Sequence, residues 1–600
     1  MRIYKKGLMM KKMKRLSFVL FATLLTFTAC KAQHKNKETK NKTVKPAKTN
    51  KQVDEFQTYE IDESIKVQTA SKKAQEAWKD NKFGMFIHWG PISQKGRALS
   101  HSRHSESHRT GGKPYKPYKK GFLEPEEYDV QYKTFNPTKY NPDEIVQLAK
   151  DAGMKYIVFT AKHHAGFSMF DSKVSDYDMM ATPYKKDVLK MLEKSCRKKG
   201  IEFGFYYSPR DWRHPDCDSD NHHDRYIKYY EAQMDELLTN YGSIYEIWFD
   251  GLGPGKWGNT SEVIMKKIRK SHPNAMVNDR GGVGADFYTP EHTISQLNNQ
   301  ENWEACHTTT SQWGYNPKVK AKPFKQLMEI LLYTWGGGGN MLLNIGPMGD
   351  GSLNPLEVKR LKQVAQWWKT HGEISIRGTR GGPYYQENWG VATKKDNKVF
   401  VHVFRWPANG IMTFPNLPGL KVKAARLLNG KEVKLTTGKQ NYTLEVTPDN
   451  REKVATTIEL IFDKSVMDVK PLHVITPLTY KATLTASQNQ DEVKNVVDGN
   501  AETTWLAADK KKKIWIEASF ETPVTIASVV AGRGDDWNPK NKPELQIPDG
   551  NGGWKTILKW KPKWTTVKFL KEPVTTQKIR LLVKGTKKYN LAEFELYAPL

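Results

Sequence analysis

Between about residues 70 and 375, short apolar segments alternate with stretches whose apolar residues recur at helical spacing. The apolar segments are nearly continuous, which indicates strands buried on both faces, as in a parallel sheet. Two helical stretches, 142–153 and 187–200, end in glycine, a common signal at a helix C-terminus. This alternation predicts an α/β barrel, a (β/α)8-like TIM barrel, over residues 65–380. The strand-like segments include 83–90, 156–164, 202–209 and 245–251.

Polar side chains lie where these apolar segments end. His88 closes the first, His163 and His164 the second, Tyr206 the third and Asp250 the fourth. Because the carboxyl ends of barrel strands form the catalytic face, we expect these side chains to share one pocket. A carboxylate placed after an apolar strand is costly to bury without a purpose. Asp250 is therefore a candidate catalytic residue, with a salt-bridged or capping aspartate as the alternative.

The pattern changes after residue 380 to short segments in which polar and apolar residues alternate. Such alternation is typical of antiparallel strands with one buried face. It predicts an antiparallel β-domain over 381–470 and a second all-β domain over 477–600. We therefore expect two all-β sandwich domains to follow the barrel.

The N-terminal residues match a bacterial export signal. Basic residues at 11–15 precede an apolar run at 16–27, and small residues precede Cys30. This predicts a lipoprotein-type signal peptide over 1–30 with Cys30 as the lipidated residue, and ordinary secretion is the alternative. Residues 31–55 are rich in Lys and are predicted to form a flexible tether. We expect an exported protein of the cell envelope, in the outer membrane or periplasm, that contacts the membrane only through its lipid.

The formal net charge of +30 indicates attraction to polyanions. Export argues against nucleic acid as the partner, and a sulfated or carboxylated polysaccharide is the better candidate. The alternative is that Lys-rich surfaces only maintain solubility. Three cysteines remain after Cys30 and cannot all pair, so a disulfide framework is not expected.

Six segments in order along the chain resemble family 29 of the glycoside hydrolases, the retaining α-L-fucosidases. The resemblance covers about residues 65–380 and implies an exo-acting enzyme that hydrolyses terminal α-L-fucose without a cofactor. Its partner would be a fucosylated oligo- or polysaccharide. The six segments are KFGMFIHWGPIS (82–93), KYIVFTAKHHAGF (155–167), FGFYYSPRDW (203–212), IWFDG (247–251), WEACHTTTSQWGYNP (303–317) and NMLLNIGPMGDG (340–351).

The resemblance also implies residue roles. Asp250 matches the family nucleophile, and the acid/base is expected at Glu291, in a loop able to reach across the pocket. Glu304, within the WEAC motif, is the rival for this role. Residues expected to contact the sugar are His88, His163, His164, Tyr206, Trp248, Arg280, Trp313 and Tyr315.

Two histidine-rich stretches fall outside these roles. In the loop 98–109, His101, His104 and His108 could bind a metal, but their spacing matches no standard site. With nearby arginines they could instead bind an anion such as sulfate. The second stretch contains His214, Cys217, His222 and His223 and is interpreted as a solvated loop rather than a metal site. No metal is expected in catalysis.

The C-terminal unit resembles a discoidin-like (factor 5/8 type C) domain, a fold shared with many carbohydrate-binding modules. The turn at 498–500 and Trp505 carry this resemblance. Two alternatives to an exo-fucosidase stay open at this point. One is an enzyme that cuts internal linkages of algal or sulfated fucans, and the other is a non-catalytic glycan-binding lipoprotein.

Overall fold

The computed structural model describes most of the chain from residue 68 onward. The signal peptide, Cys30 and tether expected at 1–30 and 31–55 lie outside the described residues. The described ranges are 68–103, 123–219, 221–252, 257–283, 285–295, 297–407, 409–498, 503–507, 513–533, 542–559, 567–584 and 589–599.

A parallel sheet forms the centre of the N-terminal half. Its strands follow the order β5-β4-β3-β2-β1-β7-β6, and every neighbouring pair is parallel. Strands β1, β2 and β7 are buried along their whole length, as their continuous apolar character predicted. The strands are β1 (Phe83–Ile87), β2 (Tyr156–Lys162), β3 (Glu202–Tyr207), β4 (Glu246–Phe249), β5 (Met276–Val277), β6 (Glu304–Thr308) and β7 (Asn340–Ile345).

Helices connect these strands. Both helices anticipated from their terminal glycines are present: Asn141 and Asp187 cap their first turns, and Gly200 ends the second with a left-handed backbone. The helices are α1 (Lys72–Asn81), α2 (Pro125–Tyr128), α3 (Pro142–Asp151), α4 (Val188–Lys199), α5 (His223–Asn240), α6 (Thr260–Ser271), α7 (Phe324–Gly336), α8 (Pro355–Trp367) and α9 (Glu373–Ser375). Short 3-10 turns lie at Pro91–Lys95, Gln131–Thr134, Met179–Ala181 and Asp279–Gly281, and a π-helical turn at Trp368–Gly372 links α8 to α9.

The sheet differs from the closed eight-stranded barrel that the sequence predicts. Within the described residues it is an open half-barrel whose edges are β5 and β6. Between those edges the chain makes only isolated parallel bridges, which are Asn278 with Phe287, Tyr288 with Trp303 and Glu291 with Cys306. Between β5 and β6 the chain follows an irregular path, and this path carries Glu291.

Antiparallel strands make up the remainder of the described chain, as the alternating pattern predicted. A five-stranded sheet (β12-β15-β10-β9-β8) is followed by a three-stranded sheet (β11-β14-β13) and a larger sheet built from β16–β22. The strands are β8 (Arg380–Gly381), β9 (Gly390–Lys395), β10 (Lys398–Val403), β11 (Ile411–Pro415), β12 (Val422–Leu427), β13 (Lys434–Thr437), β14 (Asn441–Glu445), β15 (Thr456–Phe462), β16 (Thr483–Ala486), β17 (Trp505–Ala507), β18 (Ile514–Arg533), β19 (Lys542–Pro548), β20 (Trp554–Lys559), β21 (Val567–Lys584) and β22 (Tyr589–Tyr597). Short 3-10 turns lie at Pro448–Asn450, Leu478–Lys481 and Gln490–Val497. In the part of the chain described here, no helix combines the length and apolar character needed to cross a membrane.

Candidate active site

Asp250 directly follows β4 at the carboxyl end of the parallel sheet. Its backbone N–H donates a hydrogen bond to the carbonyl of Tyr207, 3.3 Å away, at the end of the neighbouring strand β3. Gly251 then turns the chain with a φ of 75°, and a Cβ there would lie 2.4 Å from Cε1 of His164. A side chain at position 251 would therefore be strained and would displace His164. The Asp-Gly sequence thus brings the carboxylate and the imidazole together.

The Asp250 carboxylate is held by two donors. Arg280 Nη1 donates to Oδ1 at 3.0 Å, and the Tyr206 hydroxyl donates to Oδ2 at 3.0 Å. Burial raises the pKa of Asp250, but the charge and hydrogen bonds of Arg280 outweigh it, so the pKa is lowered from its usual value. The side chain remains 23% exposed. Asp250 is therefore an ionised carboxylate that a ligand can reach.

Arg280 joins Asp250 to Glu291. The same Nη1 atom that contacts Asp250 lies 3.1 Å from Glu291 Oε2, so the nearest oxygens of the two carboxyl groups are within about 6 Å. Thr289 fixes the guanidinium, accepting from Nε at 2.8 Å and from Nη2 at 3.0 Å. The guanidinium also lies over the Trp248 ring, with Cζ 4.6 Å from the centroid. The guanidinium of Arg280 is therefore held in one position, in contact with both carboxyl groups.

Glu291 reaches this position from the irregular segment between β5 and β6. The segment hydrogen-bonds beside β6, because Cys306 N–H donates to the Pro290 carbonyl and His292 N–H donates to the Cys306 carbonyl. His292 has a left-handed φ of 50°, which bends the chain immediately after Glu291. The Glu291 side chain is 29% exposed. It is accessible from the same side as Asp250.

Glu304 lies at the opposite end of the sheet. It is the first residue of β6, is fully buried and accepts a hydrogen bond from the Tyr156 hydroxyl. Glu246, the first residue of β4, lies close to it, and burial raises the pKa of both carboxyl groups. Asp250 comes four residues after Glu246, about 13 Å further along the strand direction. The structure therefore brings Glu291, and not Glu304, to Asp250.

His88 is held as a neutral imidazole beside the pocket. Its Nδ1 donates to Asn344 Oδ1 at 2.7 Å, and Asn344 Nδ2 donates to the Trp313 carbonyl at 2.6 Å. Burial lowers the pKa of His88 to about 3. With Nδ1 as the donor, Nε2 of the neutral ring is a hydrogen-bond acceptor. His88 is thus suited to accept a hydrogen bond from a hydroxyl group.

His163 and His164 are each oriented by a serine hydroxyl. His163 Nδ1 lies 2.6 Å from Ser100 Oγ, and His164 Nδ1 lies 2.7 Å from Ser208 Oγ. His164 Nε2 is 3.6 Å from Asp250 Oδ2. Burial, followed by the nearby histidines, holds the pKa of His163 well below its usual value. The two adjacent rings therefore lie next to the carboxylate in fixed orientations.

Aromatic rings complete this cluster. Tyr206 stacks on His163 at 5.3 Å and on Trp248 at 5.9 Å between centroids. Trp313 lies against His88 at 4.9 Å and against His292 at 4.8 Å. The structure thus brings together every predicted sugar-contacting residue except Tyr315, which makes no ring contact with this cluster within the described residues. The residues brought together are His88, His163, His164, Tyr206, Trp248, Arg280 and Trp313, around Asp250 and Glu291.

Several positioning residues were missed by the sequence interpretation. Ser100, Ser208 and Asn344 orient the three pocket histidines, and His292 packs on Trp313. Ser208 and Asn344 lie inside the recognised motifs, and His292 follows Glu291 directly, so their positions carried a usable signal. Ser100 lies in a loop for which the resemblance offers no guide, and only the fold reveals its contact.

His101, of the first histidine-rich stretch, lies beside two pocket histidines. Within the described residues, one set of three potential metal ligands has atoms all within 4.8 Å of one another: His101, His163 and His164. His104 and His108 lie outside the described residues. Arg103 of the same loop forms a bidentate ion pair with Asp129, with both contacts at 2.7 Å, which disfavours it as part of an anion site.

Taken together, a pair of carboxyl groups linked by one arginine, among histidines and aromatic rings at the carboxyl end of a parallel sheet, defines a glycoside hydrolase site. The sequence profile of the family described as alpha-L-fucosidase matches residues 47–373, more than half of the chain. The chain belongs to the α-L-fucosidase family.

Individual relatives agree with this assignment. Human plasma alpha-L-fucosidase is 28% identical over 365 residues, covering 56% of this chain and 77% of the human protein. The structure of alpha-L-fucosidase isoenzyme 1 from Paenibacillus thiaminolyticus is 31% identical with a TM-score of 0.57, covering 66% of this chain and 99% of that one. A family 29 enzyme from Bacteroides thetaiotaomicron, described as a trapped covalent intermediate with a 2-fluoro-fucosyl fluoride, is 25% identical with a TM-score of 0.57, covering 66% and 98%.

Proposed function

We propose that the protein is an exo-acting, retaining α-L-fucosidase that releases terminal α-L-fucose from glycans. The observation that carries the proposal is the single Arg280 Nη1 atom shared by Asp250 and Glu291. A separation of at most about 6 Å between the nearest oxygens is compatible with the roughly 5–5.5 Å of retaining enzymes and lies below the roughly 6.5–9.5 Å of inverting enzymes. The related Bacteroides enzyme, described as a covalent intermediate, also supports a double-displacement mechanism.

The two carboxyl groups have complementary roles. Asp250 attacks the anomeric carbon while Glu291 donates its proton to the departing oxygen, which gives a fucosyl-enzyme ester and a free acceptor. Glu291 then removes a proton from water as the water attacks the same carbon, which releases fucose and restores Asp250. The lowered pKa of Asp250 supports its role as the nucleophile because the attacking group must be ionised.

The remaining pocket residues recognise the sugar. His88, His163 and His164 bind fucose hydroxyl groups, and the apolar C5 methyl group packs on the rings of Trp248 and Trp313. The serine and asparagine partners support this role because they fix the imidazole rings before the sugar arrives. Tyr315 is left as a residue of the outer wall.

Chemical rescue with azide tests each role. In Asp250→Ala, azide attacks the substrate directly and should give β-L-fucosyl azide. In Glu291→Ala, an aryl substrate with a good leaving group still forms the fucosyl-enzyme, which azide should convert to α-L-fucosyl azide. Glu304→Gln is the matched control and should hydrolyse the aryl fucoside without azide. Azide products of the same configuration from both alanine variants, or none from either, would refute the assignment.

The natural substrate is proposed to be fucose-containing polysaccharide, algal or sulfated. The net charge of +30 supports an anionic substrate because it favours encounter with polyanions. Products from sulfated and desulfated oligosaccharides test this: release of single fucose units from sulfated chain ends is expected. Shorter oligosaccharides as the main products would instead indicate cutting at internal linkages.

Architecture and export complete the proposal. The C-terminal sheets are proposed to form two sandwiches. The last of these is proposed as a discoidin-like unit, in which the buried Trp505 donates to the Gln488 carbonyl at 2.8 Å and acts structurally. The sequence at 1–30 supports export as a lipoprotein through Cys30, and radiolabelled palmitate incorporation that is lost in Cys30→Ala tests this.

A further inference from the structure

His101 lies at the rim of the pocket on an anchored backbone. Ser102 Oγ donates to the Ala98 carbonyl at 2.6 Å, and the Ser102 carbonyl accepts from Leu123 N–H at 2.7 Å. Next to it, Ser100 N–H donates to the Tyr128 hydroxyl at 2.8 Å. The His101 side chain is exposed, but its backbone is fixed on both sides, so the ring has a restricted range of positions.

The His101 ring packs edge-on against both pocket histidines. Its centroid is 5.7 Å from that of His163 and 5.6 Å from that of His164. One potential ligand atom from each ring lies within 4.8 Å of the others. Zinc–nitrogen bonds of about 2.0–2.1 Å in tetrahedral geometry place nitrogens about 3.4 Å apart, so the rings must close by up to about 1.4 Å.

The hydroxyl group behind His164 is the one expected of a metal-ligating imidazole. Ser208 Oγ donates its proton to the Arg210 carbonyl at 2.6 Å, so it accepts the hydrogen bond from His164 Nδ1. The lone pair of the neutral His164 ring is then on Nε2, which faces the pocket near Asp250. An imidazole that donates its other nitrogen to an oxygen is the usual arrangement around a bound metal.

We propose that His101, His163 and His164 bind a divalent transition-metal ion such as Zn²⁺, and that the bound ion excludes the sugar from the pocket. Imidazole nitrogens are preferred ligands of such ions, and three of them leave a fourth position for water. An ion at His164 Nε2 would lie close to the Asp250 carboxylate, because that nitrogen is 3.6 Å from Oδ2. Arg280 contacts the other oxygen of Asp250 and would not block this approach. The exclusion of sugar rests on the proposed function, whereas the binding of metal does not.

Isothermal titration of the metal-stripped full chain with Zn²⁺ tests the binding. The unmodified protein should bind one ion at this site, and His101→Ala should weaken that binding at least tenfold. His222→Ala, an exposed histidine of the other histidine-rich stretch, is the matched control and should keep the unmodified affinity. Equal affinity for Zn²⁺ in His101→Ala and the unmodified protein would overturn the site, as would loss of binding only in the control.

Kinetics test the exclusion of the sugar. Zn²⁺ should raise the KM for an aryl α-L-fucoside without changing kcat, EDTA should reverse the effect, and His101→Ala should be at least tenfold less sensitive. Inhibition that lowers kcat alone would overturn the exclusion. Zinc binding that depends on His101 in a protein without fucosidase activity would refute the proposed function and leave the metal site standing. An active fucosidase whose zinc affinity is unchanged in His101→Ala would refute the metal site and leave the proposed function standing.

Discussion

Two carboxyl pairs lie at opposite ends of the same parallel sheet. At the amino end, Glu246 and Glu304 lie close together in a fully buried position, and burial raises the pKa of both. At the carboxyl end, Asp250 and Glu291 share Arg280, and the pKa of Asp250 is lowered although burial opposes this. Glu246 and Asp250 are separated by only three residues of the same strand and turn.

The difference is explained by the partners available at each end. The amino-end pair is hydrogen-bonded by neutral donors, Trp78 to Glu246 and Tyr156 to Glu304, which cannot compensate two buried charges. The carboxyl-end pair has a guanidinium and remains partly exposed. A carboxyl pair becomes reactive where a fixed cation keeps one member ionised and a ligand can reach it. Where neither condition holds, burial favours the protonated form and the pair belongs to the core.

The largest expected effect separates the two ends directly. Asp250→Asn should lower kcat on an aryl fucoside by on the order of 10³-fold or more, because a neutral amide replaces the attacking carboxylate. Glu304→Gln should stay within about threefold of the unmodified enzyme per folded molecule. Active-site titration with a 2-fluoro-fucosyl fluoride counts the competent enzyme in the Glu304 variant. A comparable loss in both variants would erase the functional distinction between the ends.

A smaller effect is expected from removing the cation. Arg280→Met should lower kcat/KM by about 10²-fold, as for other losses of a fixed electrostatic contact in an active site. Because Arg280 lowers the pKa of Asp250, its loss should move the acidic limb of the pH profile to higher pH. Arg280→Lys keeps the charge without the fork that holds Thr289, and should partly restore the acidic limb. An unchanged acidic limb in Arg280→Met would contradict this account.

The smallest effect concerns stability at the amino end. The pKa of Glu304 is raised in the folded protein above about 4.3 in the unfolded chain. The contribution of protonated Glu304 to the free energy of unfolding is fully present below the unfolded pKa. This contribution is lost as pH rises through the folded pKa. Glu304→Gln removes this loss, so its urea midpoint should fall less than that of the unmodified protein between about pH 5 and pH 8. The exposed Glu126→Gln should follow the unmodified protein, and parallel curves for all three would contradict the prediction.

Much of the fold could be predicted from local pattern. The apolar runs of β1, β2 and β7 and the capped helices α3 and α4 needed only hydrophobic periodicity and turn chemistry. The path between β5 and β6 could not be predicted, because it contains no periodic segment and its bridges depend on neighbours far along the chain. The closed barrel expected from repetition alone is thus not what the described residues show.

The candidate site divides in the same way. Asp250 could be predicted from the sequence because it follows an apolar strand and precedes a glycine. The sequence favoured Glu291 over Glu304 only as a preference, since both are glutamates in the same stretch of chain and their distances from Asp250 depend on the fold. The contacts of His101 could not be predicted from spacing either: its ring contacts His163 and His164, which lie far from it in the chain.

The sequence by itself determined which residue types are available and which strand ends carry them. It placed the Asp250 carboxylate at the end of one strand and the consecutive residues His163 and His164 at the end of another. Only the tertiary structure decided which glutamate lies next to Asp250. Arg280 contacts both Asp250 and Glu291, and these contacts depend on distance in the fold and not on position in the chain. The same reason governs protonation: a carboxyl pKa depends on burial and nearby charge, and both are properties of the folded arrangement.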